Sequence, residues 1–125
     1  MPTTTLKKIL IVEDEKPIAR TLELKLAREG FLVRVATNGE EGIVFLTQEI
    51  FDIILLDLVM PKMDGFTFLE QYKAMKLDTP ILVLTNLSQA EDMDRAKALG
   101  ATEFIVKSST PLAEVVAHIK EELEM

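Results

Sequence analysis

Five short apolar runs recur along the chain: Lys8-Ile9-Leu10-Ile11-Val12, Leu32-Val33-Arg34-Val35-Ala36, Ile53-Ile54-Leu55-Leu56, Ile81-Leu82-Val83-Leu84 and Phe104-Ile105-Val106. They are β-branched or leucine-rich and too short for helices. Three of them do not alternate, as expected of strands covered on both faces. The segments between them carry helical spacing. Ile18, Leu22 and Leu26 recur at every fourth position, Phe66, Leu69 and Lys73 begin a weaker pattern, and Leu112, Val115, Val116, Ile119 and Leu123 form an apolar stripe.

Local punctuation supports those helices. Asp14 is expected to cap the first, with Pro17 in its opening turn and Gly30 ending it in the left-handed conformation. Asn38 is expected to cap a second helix running to about Gln48, and Asp64-Gly65 to form a turn and helix start. Ser88-Gln89-Ala90-Glu91 reads as a capping box with Gly100 as that helix's terminator, and Thr110-Pro111 as a cap followed by proline at the first helical position. Strand and helix thus alternate five times without a long linker, a repeat or a low-complexity stretch. This predicts a doubly wound α/β fold of one domain over 1–125, with a parallel five-stranded sheet and right-handed crossovers.

Composition narrows the possibilities. A chain of 125 residues, 48% of them apolar, is long enough to bury a core and too apolar to be disordered. The absence of cysteine removes disulfides, thiolate zinc sites and thiol nucleophiles, and fits a cytoplasmic setting. A net charge of −7 with no basic tract disfavours direct nucleic-acid binding. The opening Met1-Pro2-Thr3-Thr4-Thr5 reads as neither signal peptide nor anchor, and no apolar run approaches a membrane span.

In an open parallel sheet, ligands bind beyond the carboxyl ends of the strands. There the sequence places Glu13 and Asp14 after the first run, Asp57 after the third, Thr85 after the fourth and Lys107 after the fifth. Taken singly, each has an ordinary reading as helix cap, turn former, strand end or solvated lysine. Together they converge on one edge. With the first and third strands adjacent, as in the order 2-1-3-4-5, their ends lie about 4.8 Å apart. Three carboxylates that close need a counter-charge. A hard divalent cation such as Mg²⁺ supplies it, while Lys107 and Thr85 offer a point charge and a hydroxyl to a phosphoryl oxygen.

At this point the sequence resembles the receiver domain of two-component response regulators, the family that includes the chemotaxis receiver. The resemblance spans essentially the whole chain. It is carried by Ile11-Val12-Glu13-Asp14-Glu15, by Asp57-Leu58-Val59-Met60-Pro61-Lys62-Met63-Asp64-Gly65, by Leu84-Thr85, and by Gly100-Ala101-Thr102-Glu103-Phe104-Ile105-Val106-Lys107. It implies a flavodoxin-like (βα)5 fold with Asp57 as phosphoacceptor. Glu13, Asp14, Asp57 and the Val59 backbone carbonyl would hold Mg²⁺, Thr85 and Lys107 would contact the phosphoryl group, and Phe104 would be the switch aromatic. The donor would be a sensor histidine kinase or a phosphotransfer protein. A downstream protein partner would read the surface of helix 4, strand 5 and helix 5.

Some positions depart from the family pattern. Glu13 replaces the commoner Asp, Ser108 stands where Pro usually follows the lysine, and Asn86 stands where Ala or Gly is usual, restricting access to the phosphate. Val59 and Leu87 are apolar at the positions that can orient an attacking water, which predicts slow self-dephosphorylation. Met60 and Met63 are candidate lid residues, and His118 is a surface residue of the last helix.

The competing classes fit less well. An aspartate-based phosphohydrolase needs an acid where Val59 stands. A flavin or nucleotide module needs a Gly- or hydroxyl-rich phosphate loop where Glu13-Asp14-Glu15-Lys16-Pro17 presents acid. Within the receiver family, a stand-alone protein is expected, with a fragment of a longer regulator bearing an output domain as the alternative.

Overall fold

The computed structural model describes residues 6–125. The opening Met1-Pro2-Thr3-Thr4-Thr5 lies outside them. Strands and helices alternate along the chain: β1 (Lys8–Val12), α1 (Lys16–Arg28), β2 (Leu32–Ala36), α2 (Gly39–Gln48), β3 (Ile53–Leu56), α3 (Gly65–Ala74), β4 (Ile81–Thr85), α4 (Ala90–Ala98), β5 (Glu103–Val106) and α5 (Leu112–Glu122). All strand pairs are parallel, and the sheet order is β2-β1-β3-β4-β5. The strands match the five apolar runs, with Thr85 added to β4 and Glu103 to β5.

Alternation within each strand divides the core between the two faces of the sheet. Leu10, Val12, Ile54, Leu56, Ile81 and Val83 pack with Phe66, Phe68 and Leu69 of α3 and Ala96 of α4. Ile9, Ile11, Ile53, Leu55, Leu82 and Leu84 point the other way, onto Leu22 and Leu26 of α1 and Val115, Val116 and Ile119 of α5. The central strands are therefore apolar throughout because each residue has a covered face to enter. Among the described residues, no helix is long and apolar enough to cross a membrane.

The helix ends follow the expected chemistry in part. Asn38 caps α2, accepting the Glu41 N–H at 3.0 Å, and Asp64 caps α3, accepting from Thr67 at 2.8 Å. Gly30 and Gly100 take φ of +96° and +108°. Each sits where the following N–H reaches back over the helix end, Phe31 to Leu26 and Ala101 to Ala96, and that closure requires the left-handed conformation.

Other ends differ from expectation. α1 is capped by Glu15 without a side-chain bond, not by Asp14. α4 starts after Gln89, so Ser88 forms no capping box. Pro111, with ψ of 152°, is itself the cap of α5, so its helix begins one residue later than Thr110-Pro111 suggested. In α3 the apolar face ends on Tyr72, which is buried like Phe66 and Phe68 and whose hydroxyl donates to the Thr79 carbonyl and accepts its N–H, both at 2.7 Å, whereas Lys73 is exposed.

Candidate functional site

The carboxyl ends of β1 and β3 are held together by backbone bonds that continue past the strands. The Asp57 N–H donates to the Val12 carbonyl at 3.0 Å, and on the other side of β1 the Glu13 N–H donates to the Ala36 carbonyl of β2, also at 3.0 Å. This brings the acidic residues of two loops into one place. Carboxylate oxygens of Glu13, Asp14 and Asp57 lie within 4.8 Å of one another. Glu13 and Asp57 are buried, at 2% and 5% exposure. Buried like charges at that spacing require compensation.

Lys107 supplies part of it. β5 delivers this residue to the same edge, and its ammonium donates to the Glu13 carboxylate and to Asp57 Oδ2 at 3.2 Å. Burial pushes the Glu13 carboxyl above its usual range, the Lys107 hydrogen bond pulls it partly back, and the charge of Asp57 adds to the rise. For Lys107 burial acts downward, but the bonds and charges of Glu13 and Asp57 outweigh it and hold the ammonium above its ordinary value. Three carboxylates against one ammonium still leave a surplus of two negative charges.

Asp14 explains why the first helix is not capped as expected. Its Oδ1 is buried and has no hydrogen-bond partner, while Oε2 of Glu13 accepts the N–H of Glu15 at 3.1 Å. An orphaned buried carboxylate oxygen beside two further carboxylates is the donor set that a hard divalent cation satisfies, so the residues fit such an ion. A cleft of about 290 Å³ opens beside them, lined by Asp14, Glu15, Asp57, Val59, Asn86, Leu87 and Lys107.

The remaining sequence candidates fall around this cleft. Val59 is exposed at its rim, and its N–H donates to Asp57 Oδ1 at 3.3 Å. Thr85 is fully buried at the end of β4, its hydroxyl oxygen 3.5 Å from the Leu87 N–H. Phe104, opposite Val83 in the sheet, is half-buried against the α3–α4 side of the core. Met60 and Met63 are not lid residues, since both pack into that same core and neither lines the cleft. His118 pairs with Glu103 at the start of β5, the end of that strand remote from the site. Among the described residues no peptide is cis, so Lys107-Ser108 is trans.

Two contacts escaped the sequence reading, which names Gly65 and Asn86 in other roles. Gly65 packs so closely that a Cβ there would lie 2.6 Å from the Asp57 carbonyl oxygen. Asn86 accepts the Ser108 N–H at 3.0 Å, joining the loops after β4 and β5. The first had a signal in the Asp-Gly pair, though not in its distance from Asp57. For the second, Asn86 and Ser108 each stood out as departures from the family pattern, but nothing local showed that they bond, because they are remote in sequence.

Residues 9–120 match the family model of the response regulator receiver domain. This chain belongs to that family. As a receiver it is a signalling module of two-component systems with the flavodoxin-like fold. It is 39% identical over 114 residues to the alkaline phosphatase synthesis transcriptional regulatory protein PhoP of Bacillus subtilis, covering 91% of this chain and 47% of that one. It is 37% identical over 100 residues to the transcriptional regulatory protein DltR of Streptococcus agalactiae, covering 80% and 45%. The chain thus spans about half the length of the curated relatives it matches.

Among solved structures, a CheY-like receiver domain protein from Methanospirillum hungatei superposes with a TM-score of 0.90 at 28% identity, covering 96% of this chain and 95% of that one. The response regulator TrrA of Thermotoga maritima, solved with Mg²⁺ and BeF, gives 0.83 at 31% identity, covering 94% and 99%.

Proposed function

We propose that Asp57 is the phosphoacceptor of this receiver and that Glu13, Asp14, Asp57 and the Val59 backbone carbonyl hold Mg²⁺. The observation that carries this reading is the convergence of three carboxylates within 4.8 Å, one with a buried unpartnered oxygen, on a lysine that already touches two of them. Bound there, Mg²⁺ would neutralise charge on the transferring phosphoryl group. A carboxylate oxygen of Asp57 attacks the phosphorus of a phosphohistidine on a sensor histidine kinase or phosphotransfer protein. An O–P bond forms as the N–P bond breaks, and the electron pair leaves on the imidazole nitrogen. Lys107, already 3.2 Å from Asp57, stabilises the charge on the phosphoryl oxygens. The receiver therefore contributes catalysis only to its own modification and its reversal.

Thr85 would then turn toward the new oxygens and Phe104 would enter the space it leaves, changing the α4–β5–α5 surface that a downstream protein reads. We place the receiver unit over 1–125 and the protein in the cytoplasm, without direct nucleic-acid binding by this unit. The support is its acidic, cysteine-free composition.

Metal removal tests the ligand set. With acetyl phosphate as donor, phosphorylation is expected with Mg²⁺ and to fall to background when EDTA is added. A rate indifferent to EDTA would contradict it. The apolar rim sets the lifetime of the product. Val59 is 58% exposed at the cleft mouth and cannot hold a water in line with phosphorus. Val59→Asn is therefore expected to speed decay of the phosphorylated form about ten-fold, by orienting water. Decay is followed by intact mass after donor removal, and an unchanged rate would remove Val59 from the explanation.

A further inference from the structure

β4 and β5 pair in register as far as Thr85 opposite Val106, so Asn86 and Lys107 are the first residues beyond that ladder. The next link is made by a side chain: Asn86 Oδ1 accepts the Ser108 N–H at 3.0 Å. Lys107 is thereby bracketed, with Val106 held in the sheet and Ser108 held by the amide. Its own carbonyl accepts the Thr110 N–H at 3.3 Å, closing a 3₁₀ turn over Lys107–Ser109. From this turn the ammonium reaches Glu13 and Asp57.

A lysine carries a compact charge on a flexible four-carbon stem, so its placement depends on a fixed backbone beneath it. The link is chemically particular. It needs an acceptor at 86 and a residue with an N–H at 108, which proline lacks. Asn86 is exposed and outside any helix or strand, a setting in which a substitution has little effect on folding.

We propose that Asn86 is a positioning residue for Lys107, resting on the reading of Asp57 as phosphoacceptor: its amide clasps the turn after β5 and so sets the ammonium against the reacting carboxylate. The test measures initial phosphorylation rates with acetyl phosphate and saturating Mg²⁺ for the parent, Asn86→Ala, Lys107→Ala and the double variant. Asn86→Ala is expected to lower the maximal rate about five-fold, the effect of one ordinary hydrogen bond, whereas a side chain that acted only by restricting access to the phosphate would give a faster variant. In the Lys107→Ala background it is expected to have no further effect, because it acts through that lysine. An equal loss in both backgrounds, or none in the parent, overturns the proposal. A parent that gains no phosphoryl group defeats the phosphoacceptor reading instead. Hydrogen exchange then judges the clasp alone: the Ser108 amide is expected to exchange faster in Asn86→Ala, and an unchanged rate overturns it.

Discussion

Lys107→Ala is expected to slow phosphorylation of Asp57 about 100-fold while tightening cation binding. The two effects have opposite signs because the lysine has two roles. During transfer its ammonium faces developing charge on the phosphoryl oxygens, and loss of one such donor costs on the order of 10²-fold in rate. At rest it is the counter-ion of Glu13 and Asp57, whose carboxylates it touches in a setting with 11% of its side chain exposed. Without it, three carboxylates that approach within 4.8 Å are left unopposed. The metal-free variant should lose stability, by about 3 kcal/mol if the broken pair behaves as a buried one. A divalent cation should restore more of it than in the parent, since binding to the folded state stabilises in proportion to affinity. Thermal melts with and without Mg²⁺ check this. A Mg²⁺-induced rise no larger in the variant than in the parent would mean that Lys107 does not compete for that charge.

The second large effect is expected at Gly65→Ala. The Cβ would sit 2.6 Å from both the Asp57 carbonyl oxygen and the Leu58 Cα, and both are backbone atoms that cannot swing aside. The Gly65 N–H also donates to the Leu58 carbonyl at 3.0 Å, so the helix start and the acceptor loop are locked at that spacing. Overpacking of this kind is expected to cost about 3 kcal/mol and to lower Tm by about 10 °C. Because one displaced atom is the carbonyl oxygen of Asp57 and the other lies in the next residue, the phosphorylation rate should fall at temperatures where the variant is still folded. Gly30→Ala provides the comparison. It is strained by a φ of +96° but has open space around its Cβ position. It is expected to cost about 1 kcal/mol and leave the rate unchanged.

The strands were legible because each buried strand had to be apolar on both faces, and only a two-sided parallel sheet asks for that of Ile53-Ile54-Leu55-Leu56 or Ile81-Leu82-Val83-Leu84. The edge was legible for the same reason: once the strands are fixed, the residues after them share one side of the sheet. The helix starts were less so, since several nearby polar residues can each serve as a cap and tertiary demands choose among them. Asp14 has its Oδ1 buried in the acidic cluster, and Pro111 takes an extended ψ that starts α5 at Leu112. The finer parts of the site lie beyond local pattern altogether. The seat of Lys107 on Glu13, the orphaned Asp14 oxygen and the Asn86–Ser108 bond each depend on which loops the fold brings within a few ångströms.

The claim on which the account rests is that Asp57 accepts a phosphoryl group, and intact-mass spectrometry tests it directly. The protein is incubated with Mg²⁺ and acetyl phosphate, alongside Asp57→Asn. The parent is expected to gain about 80 Da, one phosphoryl group carried as an acyl phosphate, and the variant to gain none. No gain in the parent, or an undiminished gain in Asp57→Asn, would contradict it.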